Sequence, residues 1–358
     1  MSLRLAIVDA YVRSTLDCGG STPPWRSSSA LGQGGLNHGF SHRDYSKAAS
    51  SRRSPRCFAR IIRLVALLAA VCNPAHAQGR IECGVVTSRI LREAVRYCAF
   101  LPSSYDATAA SKNPQAKDVR RYPVLYSLHG LGDNEQSLLN TGAWSLVQDL
   151  REQHKIGEFL IVTPDGARSF YINSRDGHER YSDFFLQEFI PSIEHQYRVR
   201  AGRNTRGITG MSMGGYGALR FAFASPQLFS AVSAHSAALV AEPPRTSNRS
   251  TGEGSPLAGM LGALFGNPID PAFWNANSPF VLAKRNAAAV AGLKIYFDCG
   301  SEDSFGFDQG ARDLDEELAA LKVKHEFHIY PGGHGVDYFL AHVAASMEFH
   351  SRAFQEAR

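Results

Sequence analysis

Gly210-Met211-Ser212-Met213-Gly214 is the segment whose residue types and spacing point most directly to chemistry. It reads G-x-S-x-G between a short β-type run at 207–209 and a helical run at 216–224, the strand–turn–helix setting of a nucleophile elbow. Such a turn strains the serine backbone, and glycines at both ends remove side chains that would clash there. The spacing predicts that Ser212 exposes its hydroxyl above a sheet edge. The chemistry is acyl transfer through a serine ester. A serine at its free pKa is a poor nucleophile, so a base and a group that orients the base must be supplied elsewhere in the chain.

In this architecture the acid and then the histidine follow the serine along the chain. His334 lies in Pro331-Gly332-Gly333-His334-Gly335, after a strand-like run and before a helix, which places it on a tight loop. His325 and His328 fall within the strand-like run, and His342 and His350 fall within the last helix. His235 ends a strand close to Ser212 and is the competing base. We assign His334 as general base. Asp298-Cys299-Gly300-Ser301-Glu302-Asp303 offers the acid. Asp303, on the loop beyond the strand end, is preferred. Asp298, which would instead cap the strand, is second and Glu302 third.

A tetrahedral intermediate needs preorganised N–H donors for its oxyanion. Met213 N–H is one candidate. Leu131 N–H, in His129-Gly130-Leu131-Gly132-Asp133 after an earlier β-run, is the other. His129 itself is read as structural. The sequence contains no HExxH, CxxC or P-loop. No metal is expected, and serine acyl chemistry needs no cofactor.

These residues require a frame that brings loop ends to one edge. Strand-like runs at 122–128, 159–163, 207–209, 229–236, 293–298 and 325–330 alternate with helical patterns at 181–197, 313–321 and 336–354. Short apolar strands separated by helices imply a mostly parallel sheet covered on both faces. Residues 81–91 and 93–101 read as a leading hairpin. Residues 242–255 read as a loop, and the apolar, Gly- and Pro-broken segment 257–282 as a small cap. Residues 168–174, Trp144 and Phe273-Trp274 are candidate pocket walls.

Hydrophobic residues make up 44% of the 358 and charged residues 20%, which suits a large core and excludes a mostly disordered chain. The net charge of +5 is unevenly placed. Residues 1–77 hold 10 Lys+Arg against 3 Asp+Glu, and the rest hold 28 against 30. The body therefore gives no electrostatic reason to expect nucleic acid. Residues 1–50 are rich in Gly, Ser and Pro and are read as a disordered or over-extended leader. Residues 51–77 read as a secretion signal: Arg52, Arg53, Arg56, Arg60 and Arg63, then the apolar run 64–71, then Ala75-His76-Ala77. The apolar run falls short of the ~20 residues that span a bilayer, so removal is favoured and no stable membrane anchor is expected. Residues 78–358 form the catalytic domain. Of six cysteines the body keeps Cys83, Cys98 and Cys299. In an oxidising compartment Cys83 and Cys98 are a candidate disulfide across the hairpin, against the alternative of two buried thiols.

Several stretches together resemble one family: YCAFLPSSY (97–105), YPVLYSLHGL (122–131), FLQEFIPSIEHQY (185–197), ITGMSMGGYGAL (208–219), DCGSED (298–303) and PGGH (331–334). The chain is similar to the esterase-D-like family of α/β-hydrolases. That family includes S-formylglutathione hydrolases, secreted feruloyl and acetyl-xylan esterases, and mycolyltransferases. The resemblance implies an α/β-hydrolase fold. It puts Ser212, Asp303 and His334 on the family's triad positions and Leu131 and Met213 on its oxyanion donors, which favours Asp303 over Asp298. S-formylglutathione hydrolases carry a Cys after the Gly-Leu of the first loop; Gly132-Asp133-Asn134 stands here, and the secreted carbohydrate-ester esterases are the nearer likeness.

The expected function is an exported serine carboxylic-ester hydrolase acting on small-molecule or polysaccharide-linked acyl esters. The alternatives are an acyltransferase using the same acyl-enzyme, and a non-catalytic surface-binding member.

Overall fold

The computed structural model describes residues 79–107, 113–117, 119–243, 261–262 and 264–356. The expected leader (1–50) and secretion signal (51–77), and residues 244–260 of the expected loop and cap segment, lie outside the described residues.

Eight strands form one sheet in the order β1-β2-β4-β3-β5-β6-β7-β8. They are β1 (Arg80–Thr87), β2 (Ala94–Leu101), β3 (Val124–Leu128), β4 (Leu160–Pro164), β5 (Arg206–Met211), β6 (Ala231–His235), β7 (Lys294–Gly300) and β8 (Glu326–Tyr330). β2 runs antiparallel to both neighbours, and every pair from β4 onward is parallel. β3 to β6 are buried along their whole length apart from Met211. That is why they read as continuous apolar runs and not as alternating ones.

The helices that frame the site and the core are α1 (Ser137–Asn140), α2 (Ala143–Glu152), α3 (Tyr181–Phe184, a π-helical turn Phe185–Phe189, then Ile190–Gln196), α4 (Met213–Ala224), α5 (Pro271–Asn277), α6 (Pro279–Arg285), α7 (Phe307–Ala320) and α8 (Val336–Gln355), with single turns at Ser104–Ala107 and Ala287–Val290 besides. One face of the sheet packs on α2 and α8 through Trp144, Val147, Phe159, Phe339, Val343 and Met347. The other packs a larger aromatic core against α3, α4, α6 and α7, with Phe184, Phe185, Phe189 and Phe221 inaccessible to solvent. Both expectations of a parallel sheet covered on two faces and of an α/β-hydrolase fold match this architecture.

Cys83 faces Cys98 in the β1–β2 register, and the two form a disulfide. Cys299 is a buried free thiol. The chain leaves β3 toward one side of the sheet (β4) and leaves β5 toward the other (β6). The carboxyl ends of β3 and β5 therefore flank the point where the strand order reverses, which is where open α/β sheets hold their ligands.

Candidate active site

Four strand ends supply the site. β5 stops at Met211 and α4 starts at Met213, so the whole reversal falls on Ser212. Its backbone sits at φ 53°, ψ −116°, a conformation that an L-residue adopts only when its surroundings impose it. The surroundings are specific. Ser212 N–H donates to the His235 carbonyl at 2.9 Å, and the Ser212 carbonyl accepts from Tyr216 and Ala238 N–H, both at 3.0 Å. The glycines permit the close approach. A Cβ on Gly214 would land on the Leu128 carbonyl, and one on Gly210 would land on the Gly214 backbone.

His334 sits on the loop between β8 and α8. Its Nδ1–H donates to Asp303 Oδ2 at 2.7 Å, and Ser212 O–H donates to its Nε2 at 2.9 Å. The carboxylate only accepts, so Nδ1 carries the proton and Nε2 is left to take one from serine. Phe305 and Phe307 pack edge-on against the imidazole, with ring centroids 4.8 and 5.4 Å away. They fix the ring without competing for its nitrogens. The His334 and Asp303 loops are joined through backbone: Ser301 N–H donates to the Tyr330 carbonyl and Glu302 N–H to the Gly332 carbonyl.

The Asp303 side chain is fully buried. Burial opposes its charge, yet the hydrogen bonds from His334 and Phe305 N–H prevail and hold the carboxyl below its usual range. Asp303 thus stays ionised opposite the imidazole. Ser212 and His334 remain partly accessible, so a substrate can reach them.

The other candidates fall elsewhere. Asp298 and His235 pair with each other, not with Ser212: His235 Nδ1–Asp298 Oδ2 is 2.9 Å, and both side chains are sealed from solvent. His235 Nε2 lies 2.8 Å from Ser346 Oγ on α8. Tyr338 O–H donates to the second Asp298 oxygen at 2.9 Å. Burial again opposes the Asp298 charge, but the His235 charge and the converging hydrogen bonds outweigh it and keep the carboxyl below its usual range. Glu302 is exposed and engages the next loop only through its backbone. This buried Asp298–His235–Tyr338 brace was not anticipated from sequence. The signal for it was Tyr338, four residues after His334, on the first turn of α8.

Leu131 and Met213 stand on the two loops that meet at the switch point. Met213 is the first residue of α4, where a helix has N–H groups without an intrahelical acceptor. Among the described residues, neither N–H donates to another backbone group. His129 is buried: its Nδ1–H donates to the Gly130 carbonyl at 2.8 Å and its Nε2 accepts from Gly166 N–H at 2.7 Å. It shapes the Leu131 loop from below.

Of the expected pocket walls, Trp144, Trp274 and residues 169–172 are packing residues, whereas Arg168 is exposed and Asn173, Ser174 and Phe273 are partly exposed. Trp144 lies in the core against Phe100, 5.1 Å between centroids. Trp274 is buried against Phe265, and α5 and α6 join the core beside α4, where Tyr216 O–H donates to the Asn277 carbonyl. Phe170, Tyr171 and Ile172 are also buried. Phe170 and Tyr171 both take positive φ, 51° and 57°. That turn seats the Tyr171 ring against Gly166 and Gly217 and lets its hydroxyl donate to the His129 carbonyl at 3.1 Å. Among the described residues no His/Cys/Asp/Glu group could hold a metal ion, and no helix is long and apolar enough to cross a membrane.

An eight-stranded sheet with a strained serine at the switch point and a Ser–His–Asp hydrogen-bonded chain defines an α/β-hydrolase. The model of the family described as "Putative esterase" matches residues 97–350, and the chain belongs to that esterase family. Esterase Rv1288 of Mycobacterium tuberculosis (strain ATCC 25618 / H37Rv) is 30% identical over 236 residues, covering 60% of this chain and 49% of that one. The chain thus spans about half the length of such curated relatives. An acetyl esterase of Caldicellulosiruptor saccharolyticus is 25% identical over 272 residues, covering 74% of this chain and 96% of its own. A solved structure of a ferulic acid esterase superposes with a TM-score of 0.64 at 25% identity, covering 77% of this chain and 99% of that one.

Proposed function

We propose that the chain is an exported serine esterase that cleaves carboxylic esters through an acyl-enzyme on Ser212. The observation that carries this reading is the hydrogen-bonded chain from Ser212 Oγ through His334 to Asp303, with gaps of 2.9 and 2.7 Å. His334 Nε2 takes the serine proton as Oγ attacks the ester carbonyl. Asp303 holds the imidazole in the required tautomer and stabilises its protonated form. The Leu131 and Met213 N–H groups hold the oxyanion. His334 then returns the proton to the leaving alkoxide, and a water activated by the same imidazole releases the acid.

Likeness to an acetyl esterase and a ferulic acid esterase supports acyl esters of carbohydrates or small alcohols as substrates. The leader pattern at 51–77 and the Cys83–Cys98 bridge support export, because disulfides persist in oxidising compartments. The test is turnover of a p-nitrophenyl ester panel and methyl ferulate, with Ser212→Ala and His334→Ala beside the wild type. Each substitution should cut kcat by roughly 10⁴-fold or more. Ser212→Ala should also abolish the acyl adduct seen by intact mass spectrometry. Undiminished turnover in Ser212→Ala would exclude the mechanism.

A further inference from the structure

A cavity of about 300 Å³ lies directly behind the oxyanion loop. Its walls come from the carboxyl ends of β3 and β5, from α1 and from the inner face of α8. Neither Ser212 nor His334 lines it, but their neighbours do. Met211 precedes the serine, Val336 follows the histidine by two residues, and Leu131 carries an oxyanion donor. Gly130 also lines it, and a Cβ there would sit 3.8 Å from Ser212 Cβ. Gly130 therefore borders both the cavity and the nucleophile.

Its chemistry is apolar. Leu138, Phe339 and Met347 are buried and form the floor. Leu131 and Val336 are 41% and 48% exposed, which makes them the mouth. Two of the polar groups on the walls are already used. Thr141 O–H donates to the Ser137 carbonyl, and Thr209 Oγ1 accepts from Ser233 O–H, both at 2.7 Å. Asp133, on the loop with Leu131, is the one carboxylate in the lining and accepts from Asn134 N–H. Leu138, Phe339 and Met347 offer nothing that would solvate a charge or a sugar hydroxyl, and Ser127 and Ser137 add only two hydroxyls to the walls.

With the carbonyl oxygen between Leu131 and Met213 N–H and the leaving oxygen toward His334, the acyl substituent must leave on another side. We propose that this cavity is the acyl-binding site and that it selects an unbranched aliphatic acyl chain of medium length. The assignment rests on the esterase reading above and names the acyl half of its substrate. At about 30 Å³ per methylene-sized group, a water's share, the space holds roughly eight to ten such groups. An acetyl group would leave it almost empty.

The experiment measures kcat/KM for p-nitrophenyl acetate, butyrate, octanoate and dodecanoate and for methyl ferulate. Wild-type protein is compared with Ser137→Leu, which fills the cavity from α1, and Val336→Trp, which closes its exposed mouth. Each buried methylene should raise kcat/KM about 3–4-fold up to octanoate, with a fall at dodecanoate. In either variant the octanoate-to-acetate ratio should drop at least 10-fold. Calorimetric titration of the Ser212→Ala protein with sodium octanoate gives a readout independent of turnover. Octanoate should bind at least 10-fold more tightly than acetate, and adding Ser137→Leu should remove that preference.

A wild type that hydrolyses acetate best, with both ratios unchanged in the variants, overturns the cavity assignment and leaves the esterase reading intact. A best rate on methyl ferulate that is insensitive to both substitutions does the same. A wild type that cleaves no ester overturns the esterase reading instead. In that event octanoate binding that is weak, or unaffected by Ser137→Leu, overturns the cavity as well, and a binding preference lost in Ser137→Leu upholds it as an aliphatic-chain site.

Discussion

Asp298, within β7, and Asp303, on the loop after it, are both buried and both bond the Nδ1 of a histidine. They differ in what lies beyond the ring. His334 continues to the partly accessible Ser212, whereas His235 continues to Ser346 inside the core. An Asn at either position turns one acceptor oxygen into a donor, with opposite consequences. At Asp303 an NH₂ group facing the Phe305 N–H would set two donors together, so it turns toward His334 and drives the imidazole to the wrong tautomer. Asp303→Asn should lower kcat roughly 10³- to 10⁴-fold with little change in unfolding midpoint. At Asp298 the donors are His235 and Tyr338 O–H, so in a sealed site the new NH₂ group either faces a donor or forces His235 into its other tautomer against Ser346. Asp298→Asn should cost about 1–3 kcal/mol in urea unfolding, with a much smaller loss of kcat. If Asp298→Asn instead loses turnover at full stability, the two roles are exchanged. From the sequence, Ser212 and His334 stood out because glycines flank each of them. The two aspartates lie five residues apart on one strand end, and their spacing alone does not say which reaches the His334 loop. That depends on the Gly332 and Tyr330 carbonyls that dock the 301–303 turn.

The elements that hold these residues were legible in proportion to how plainly each buries an apolar run. β3, β4 and β6 are buried throughout and were placed within a few residues. α2 was missed, although Ala143, Trp144, Val147 and Leu150 form one buried face, because it starts behind Gly142 in a left-handed conformation with no side-chain cap. α7 starts at Phe307, not near 313, because its first turns present Gly310 and Ala311 to the core in place of large apolar side chains. A Cβ on Gly310 would meet the Leu239 carbonyl, so the close approach of α7 to the chain after β6 hides that turn from any apolar-periodicity reading. Neither the brace from Asp298 to α8 nor the left-handed pair at Phe170–Tyr171 leaves a periodic trace. The β1–β2 hairpin was legible as a hairpin, but its covalent tie was one of two readings. β1 is the outermost strand of this side of the sheet and is only partly buried, so the bridge matters there. Closing a loop of 15 residues restricts the unfolded chain by about 3 kcal/mol. The Cys83→Ala/Cys98→Ala protein should lose about that much stability, and dithiothreitol should destabilise the wild type but not the double variant. Equal sensitivity of both proteins would mean that the bridge does not form.

Across the whole molecule, the sealed polar groups tie the far end of α8 to the sheet and make the fold sensitive to acid. His350 is fully buried, with Nε2 2.9 Å from Ser233 Oγ. Its Nδ1 has no partner among the described residues, and Gly207 leaves room for it. Burial, with the nearby His235 charge adding to it, pushes His350 down to about 3 from an ordinary 6.5. The folded chain therefore refuses a proton that the unfolded chain accepts below pH 6.5, and folding loses stability as the pH falls from 6.5 toward 3. The limiting slope is about 1.4 kcal/mol per pH unit, so at pH 5 the loss is about 2 kcal/mol. The carboxyls of Asp298 and Asp303 act in the same direction but in a lower window. Both are held below 3.8, so their contribution is complete above that value and disappears only beneath it. His342, also drawn down by burial though more accessible, adds a smaller slope within the His350 window. Urea unfolding at pH 7.5, 6, 5 and 4.5 separates these contributions. His350→Gln should weaken the fold at pH 7.5 yet flatten its decline between pH 6.5 and 4.5. Parallel declines in wild type and variant would show that His350 is protonated in the folded chain, and the slope between pH 6.5 and 4.5 would then fall to other groups such as His342.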